Sequence, residues 1–361
     1  MPLTTVNQGL LSTDAQYTGF KNRIINGDMQ VDQRNNGASV SGTTGVYTVD
    51  RWQVQNNSGA ARFNAQQNAG SVTPPSGFRN YLGMTSTSAY SVAANDVIGI
   101  RQHIEGFNAA DLMWGTSNAQ TVTLSFWVRS SLTGTFGALI SDSSGDTAAY
   151  PATYTISSAN TWEQKSVTIV GPTIGTWNTT NGRGIGVMFL LGLGSNQTGT
   201  PNAWTASAIY GPTGSTSVVG TNGATFYVTG VQLEKGSTAT SFDVLDYGRE
   251  LMLCQRYLPA FIRGPANAYV GTGWIYNSTN AAIYVPFLVA ARTNPTGVTA
   301  TGVFTVDSTI AATVSSITLS TPAIFGTTLV ATTSTTMTAG YGCGLVMLNS
   351  STQVLFTGCE L

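Results

Sequence analysis

Residues 120–129 set Val122, Leu124, Phe126 and Val128 against Thr121, Thr123, Ser125 and Trp127. This period of two predicts a half-buried strand. A shorter strand is expected over 165–170. Residues 187–191 are continuously apolar, as in a strand covered on both faces. Over 225–233, Tyr227, Val231 and Leu233 alternate with Phe226 and Val228. Runs rich in Gly, Asn and Ser separate these segments and read as turns. Helices are few. Residues 108–114 carry an Asn cap and end at Gly115. After Asp246, the residues Tyr247, Leu251, Cys254 and Leu258 recur at helical spacing. Asp246 is placed to cap that helix and Pro259 to end it.

Many short strands at turn-punctuated spacing predict an all-β chain. A jelly-roll sandwich over 20–246 is followed by a linking helix over 247–258 and a second, smaller C-terminal β-sandwich over 259–361. Residues 1–19 lack periodicity and read as an arm. Heptads, Gly-X-Y triplets and fixed-period repeats are missing from the sequence. Between Arg292 and Glu360 the only charged residue is Asp307. Thr-rich strands with so few charges invite edge pairing, so segment 293–340 is expected to be partly covered in an oligomer.

Composition narrows the function. Charged residues make up 9% of the 361, against about 25% in ordinary soluble proteins. The 15 basic and 16 acidic residues nearly cancel. Nucleic acid needs a concentrated positive surface, so it is not an expected partner. Hydrophobic residues are 42% of the chain, which argues against disorder. A single histidine, His103, cannot build a His-rich zinc site. Cys254, Cys343 and Cys359 form no CxxC pair and read as reduced thiols. The most apolar run, 184–194, is shorter than the ~20 residues of a membrane helix, and the start has no secretory pattern. No membrane insertion, no cofactor and synthesis in a cytoplasm are therefore expected.

Four segments carry a resemblance. Segment 22–34, NRIINGDMQVDQR, resembles the opening strand of carbohydrate-binding-module-like jelly rolls in virion proteins of tailed bacteriophages. Val49-Asp50-Arg51-Trp52 resembles their next landmark. Segment 226–236, FYVTGVQLEKG, followed by Ala239-Thr240-Ser241-Phe242, resembles their closing strand, and 247–257 the helix after it. The last two blocks match in order and spacing as well as in residues. More weakly, Val285 to Leu288 and Arg292 to Thr296 resemble the start of the C-terminal domain of such fibres. There Ala290-Ala291-Arg292 stands where Met-Arg is common, leaving the register open. The resemblance spans about residues 20–361. It implies a structural virion protein, a tail fibre or spike subunit that forms a homotrimer and attaches to host surface glycan. It also implies that residues 1–19 join a virion adaptor, baseplate or capsid protein. Two alternatives stay open: a head fibre or capsid decoration protein without a receptor role, and a glycan-cleaving depolymerase.

Flat aromatic rings stack on the apolar faces of sugar rings. Trp177 sits in a loop-like segment with Asn178, Asn181 and Arg183 as polar partners, and these four are the glycan-binding candidates. The alternative is that Trp177 only covers the sandwich edge. Trp204, Tyr210 and the pair Trp274 and Tyr276 offer further aromatic surface. The resemblance also implies a weak calcium candidate at Asp28 and Glu234. Calcium takes six to eight oxygens, and two carboxylates are few. No catalytic residue is expected. His103 alternates like a strand residue and Cys254 like a core residue. The acid pairs Asp28 with Asp32 and Asp142 with Asp146 are each four apart. In an extended strand that is ~13 Å, beyond the ~5–9.5 Å of a glycosidase pair.

Overall fold

The computed structural model describes residues 20–143, 146–262 and 266–361. The arm expected over 1–19 lies outside the described residues. The chain divides into two compact units between Leu245 and Asp246. It is all-β with a single short α-helix among the described residues.

The first unit contains β1 (Val40–Ser41), β2 (Gln53–Asn56), β3 (Phe63–Gln67), β4 (Leu82–Ser86), β5 (Val97–Glu105), β6 (Val122–Ser130) and β7 (Gly134–Ser141). It continues with β8 (Ala149–Ile156), β9 (Glu163–Ile169), β10 (Arg183–Leu193), β11 (Thr198–Gly199), β12 (Gly211–Pro212) and β13 (Thr225–Lys235). A six-stranded sheet in the order β1-β3-β4-β13-β6-β9 faces a five-stranded sheet in the order β2-β5-β10-β7-β8. This is a jelly-roll-type sandwich. Val122, Leu124, Phe126 and Val128 enter its core from one sheet, and Phe136, Val187, Phe189 and Leu191 from the other. The Phe126 ring meets Tyr154 and Phe189 edge-on, each at 4.9 Å. Such a layer, closed to water on both sides, is the main driving force for this unit.

Strand β13 departs from simple alternation. Gly230 takes φ 60°, and the register against β6 shifts between Thr229 and Gln232. This bulge reverses the faces. Phe226 and Val228 point into the core before it, and Val231 and Leu233 after it. Tyr227 therefore lies on the opposite face from Val231, packed on Tyr81 at 5.2 Å. The alternation over 225–233 had placed them together.

Segment 22–34, expected as an opening strand, is a series of turns. Asn26 and Met29 have positive φ, which breaks an extended chain. Side-chain amides replace the ladder. Asn22 accepts from the Ile24 and Leu233 N–H groups and donates to the Val231 carbonyl. Asn26 bonds both backbone groups of Val31 and the Asp50 carbonyl. Segment 108–114 likewise forms 3-10 turns rather than an α-helix, with Met113 left-handed at φ 52°. Arg23 grips this region by two bonds of 2.8 Å to Asp111.

The second unit begins with α1 (Tyr247–Gln255). The Asp246 carboxylate accepts from the Arg249 N–H at 3.1 Å, the N-cap expected there. Glu250, Cys254 and Gln255 are its buried positions, Leu251 is half-buried and Tyr247 exposed. The covered side is thus turned from the expected line of Tyr247 and Leu251, and Leu258 is buried beyond the helix end. Then come β14 (Ala260–Ile262), β15 (Ala268–Ile275), β16 (Asn280–Pro286), β17 (Gly297–Thr301), β18 (Phe304–Asp307), β19 (Ala311–Ala323), β20 (Gly326–Thr333), β21 (Gly342–Met347) and β22 (Gln353–Thr357). The sandwich expected here takes a closed form. Strands β15-β16-β20-β19-β18-β21 make a barrel, and β14-β22-β17 a three-stranded sheet. Closure leaves the barrel no free edge, which suits strands with almost no charge to guard one.

Candidate functional site

Three indoles meet at one end of the first unit. Trp177 packs edge-on against Trp114 with ring centroids 4.8 Å apart, and Trp204 lies 5.7 Å from both. Tyr150 adds a fourth ring, 5.3 Å from Trp204. Each indole N–H is fixed by a backbone carbonyl: Trp114 donates to Gln120, Trp177 to Ile174 and Trp204 to Val170. The rings are therefore held in place, with their hydrogen-bonding edges already satisfied.

The loop bearing Trp177 is held from below. Buried Asp142 accepts from the Thr176 N–H and from both the N–H and hydroxyl of Thr147. The Ser143 hydroxyl accepts from the Asn178 N–H at 3.1 Å and donates to the Thr176 carbonyl. From the other side, Gly106 and Phe107 donate their N–H groups to Gly182 and Thr180 at 2.8 Å. The last two contacts bring the 3-10 turns after β5 against the loop before β10.

Between these turns and this loop opens a cleft of about 340 Å³. Trp114 is buried behind its wall, Trp177 is half-buried in it and Met113 stands exposed in its lining. Asn118 and Asn178 supply carboxamides. The Asn178 oxygen accepts from the N–H and hydroxyl of Thr180, while its Nδ2 has no protein acceptor among the described residues. Among the described residues no carboxylate lines the cleft. The arrangement can stack an apolar ring face and donate to hydroxyls.

Of the four sequence candidates, Trp177 and Asn178 line this cleft. Asn181 is exposed on the same loop, outside the lining. Arg183 belongs elsewhere. Its guanidinium bonds Ser141 at 2.8 Å and pairs with Asp146 on the outer face of the five-stranded sheet. Trp114 and Met113 were missed as site residues. They sit in a segment read as a short helix, and only the tertiary fold brings them to Trp177. Trp274 and Tyr276 are exposed in the second unit.

The calcium candidates do not make a cage. Buried Glu234 uses Oε1 to accept from Gln232 and the Thr240 N–H, and Oε2 from the Thr240 hydroxyl. Burial pushes the Asp28 carboxyl above its ordinary value. No group of three or more His, Cys, Asp or Glu side chains gathers among the described residues. Burial, with Arg183, Arg101 and Arg51 nearby, holds His103 well below its usual range.

A two-layer β-sandwich with an aromatic cleft at its end, followed by a β-barrel unit, is the class of protein defined here. No protein-family model matches the chain, and no curated protein matches it. Solved structures are similar in part. The enzymatically active domain of bacteriophage CBA120 tailspike protein 4 shares 12% identity over 60% of this chain and 21% of its own, with TM-score 0.32. This chain thus spans about a fifth of that domain. A family 61 carbohydrate-binding module in complex with β-1,4-galactotriose shares 10% over 60% of this chain and 99% of its own, with TM-score 0.30. A family 11 carbohydrate-binding module of a Clostridium thermocellum cellulase shares 11% over 57% and 98%, with TM-score 0.28.

Proposed function

We propose that this chain is a structural virion protein of a tailed bacteriophage, a tail fibre or spike subunit that holds host-surface glycan without cleaving it. The cleft at Trp114 and Trp177 carries this reading. It combines fixed indoles, a free amide donor and a volume suited to one or two sugar rings, with no acid in its lining to protonate a leaving group. The motifs at 22–34, 226–236 and 247–257 support the virion assignment. The protein works as a homotrimer in the virion after assembly in the host cytoplasm. Residues 1–19 join it to an adaptor, baseplate or capsid protein.

The test is binding of purified chain to host surface polysaccharide. Trp177→Ala is expected to weaken binding at least about tenfold, or ~1.4 kcal/mol, in a chain that keeps the wild-type strand signal in circular dichroism. Unaltered affinity removes the cleft from the reading. Mass spectrometry of the polysaccharide after incubation should find its length unchanged; shortened products make the chain a depolymerase. A virion map with the protein on the capsid makes it a head fibre or decoration protein.

A further inference from the structure

The outer face of the five-stranded sheet carries a group of side chains that the tryptophan cleft does not use. Cross-strand register aligns His103 on β5, Gly186 on β10 and Ser141 on β7 in one row. Gly186 leaves that row without a central side chain, and the Arg183 guanidinium lies across it: a Cβ there would fall 2.5 Å from Nη2. Nη2 bonds Ser141 and Asp146, yet Nε of the same guanidinium is buried with no hydrogen-bond partner. Two rows along, on the same face, Arg101 stands opposite Met188. Its Nε and Nη2 both donate to the Gln53 oxygen, at 3.2 and 3.0 Å. That acceptor is neutral, and no carboxylate pairs with Arg101 among the described residues.

Arg183 has the Asp146 carboxylate and Arg101 only the neutral Gln53 oxygen, while Arg51 bonds the His103 carbonyl nearby. Burial, and after it Arg183, press the Arg101 pKa downward, while Asp146 acts against them. A partly desolvated guanidinium without an anion is costly, and its planar fork matches a carboxylate. The depression here holds about 10 Å³, the room of one water. Only the tip of a ligand enters it. Tyr210 lines the same depression and offers a ring to whatever stands at the mouth.

We infer that this depression is a second binding site, separate from the tryptophan cleft, that takes the carboxylate of an acidic sugar residue. One carboxylate oxygen enters between Arg101 and Arg183, and the sugar ring rests outside against Tyr210. The sugar part rests on the glycan-binding reading; the anion part does not.

The experiment titrates the full chain, by NMR or calorimetry, with glucuronate, galacturonate, glucose, galactose, acetate and sulfate. Uronates are expected to bind at least about tenfold more tightly than the neutral sugars or acetate. Sulfate in excess should displace them. Arg101→Gln should abolish uronate binding, and Trp177→Ala should leave it intact while weakening neutral oligosaccharides. Equal binding of uronate and neutral sugar overturns the proposal. Acetate as tight as uronate leaves a free-anion site and overturns the sugar part. If Arg101→Gln does not fold, the wild-type comparison and sulfate competition decide alone. A wild-type chain that binds uronate but no neutral oligosaccharide would sink the cleft reading but not this one.

Discussion

His103 sits among arginines, which gives the sandwich a pH dependence with a definite sign. Its pKa is held well below the ordinary 6.5 by burial and by Arg183, Arg101 and Arg51. The unfolded chain then binds the proton more readily than the folded one in the window below 6.5. Stability is fully present above that value and is lost as pH falls through the window. His103 is the only histidine, so His103→Gln isolates the effect. Wild-type urea midpoints are expected to fall from about pH 7.5 to about pH 5 by more than those of the variant. Parallel curves would mean that His103 titrates normally. At this scale the candidate site was half legible. Trp177 and Asn178 stood out because a Trp in a Gly- and Asn-rich loop has no strand period to explain it. Trp114 did not, since its segment passes for a capped helix. Arg183 was near Trp177 in sequence, but it begins β10, where side-chain direction is set by the sheet and sends its guanidinium to Asp146.

Among the elements, β13 is where local pattern and fold disagree most usefully. Strands with a clean period of two, such as β6, were legible because their apolar residues line the core face, although Thr123 and Ser125 on the other face of β6 are buried as well. The bulge at Gly230 was invisible to that pattern, since one extra residue reverses the parity without changing composition. It matters downstream: the reversal directs Gln232 and Glu234 to the face where they bond Asp243 and Thr240. Gly230 is held at φ 60°, and a Cβ would come within 2.6 Å of the Phe78 ring. Gly230→Ala is therefore expected to cost ~1–3 kcal/mol in urea unfolding. A cost near zero would show that the bulge can relax into a regular ladder. The turns over 22–34 were hidden for a related reason. Their buried Ile, Met and Val mimic a strand, while Asn22 and Asn26 do the hydrogen bonding that a ladder would do.

For the whole molecule, the distribution of charge sets the strongest expectation. Three neighbouring barrel strands, β16, β20 and β19, contain no charged residue. Strand β19 is thirteen residues long and mostly exposed, with Ile317 and Leu319 only half-buried. Phe325 in the turn to β20 is 67% exposed, and Tyr284 on β16 is 50% exposed. A wall of this kind facing water has no charges to oppose sheet-to-sheet association. Obligate interfaces are large and apolar, like a core cut in half, and a closed ring of copies buries the wall without leaving a sticky end. The homotrimer proposed above is expected to meet along it. Sedimentation of the intact chain should give a trimer that persists on dilution. Thr318, exposed in the middle of β19 and paired to Val330 on β20, is the place to probe. Thr318→Lys puts a charge into the contact without touching the barrel core, so it should release monomers that keep the wild-type strand signal in circular dichroism. A wild-type chain that sediments as a monomer at all concentrations refutes the trimer. A Thr318→Lys trimer as stable as the wild type moves the interface to another face.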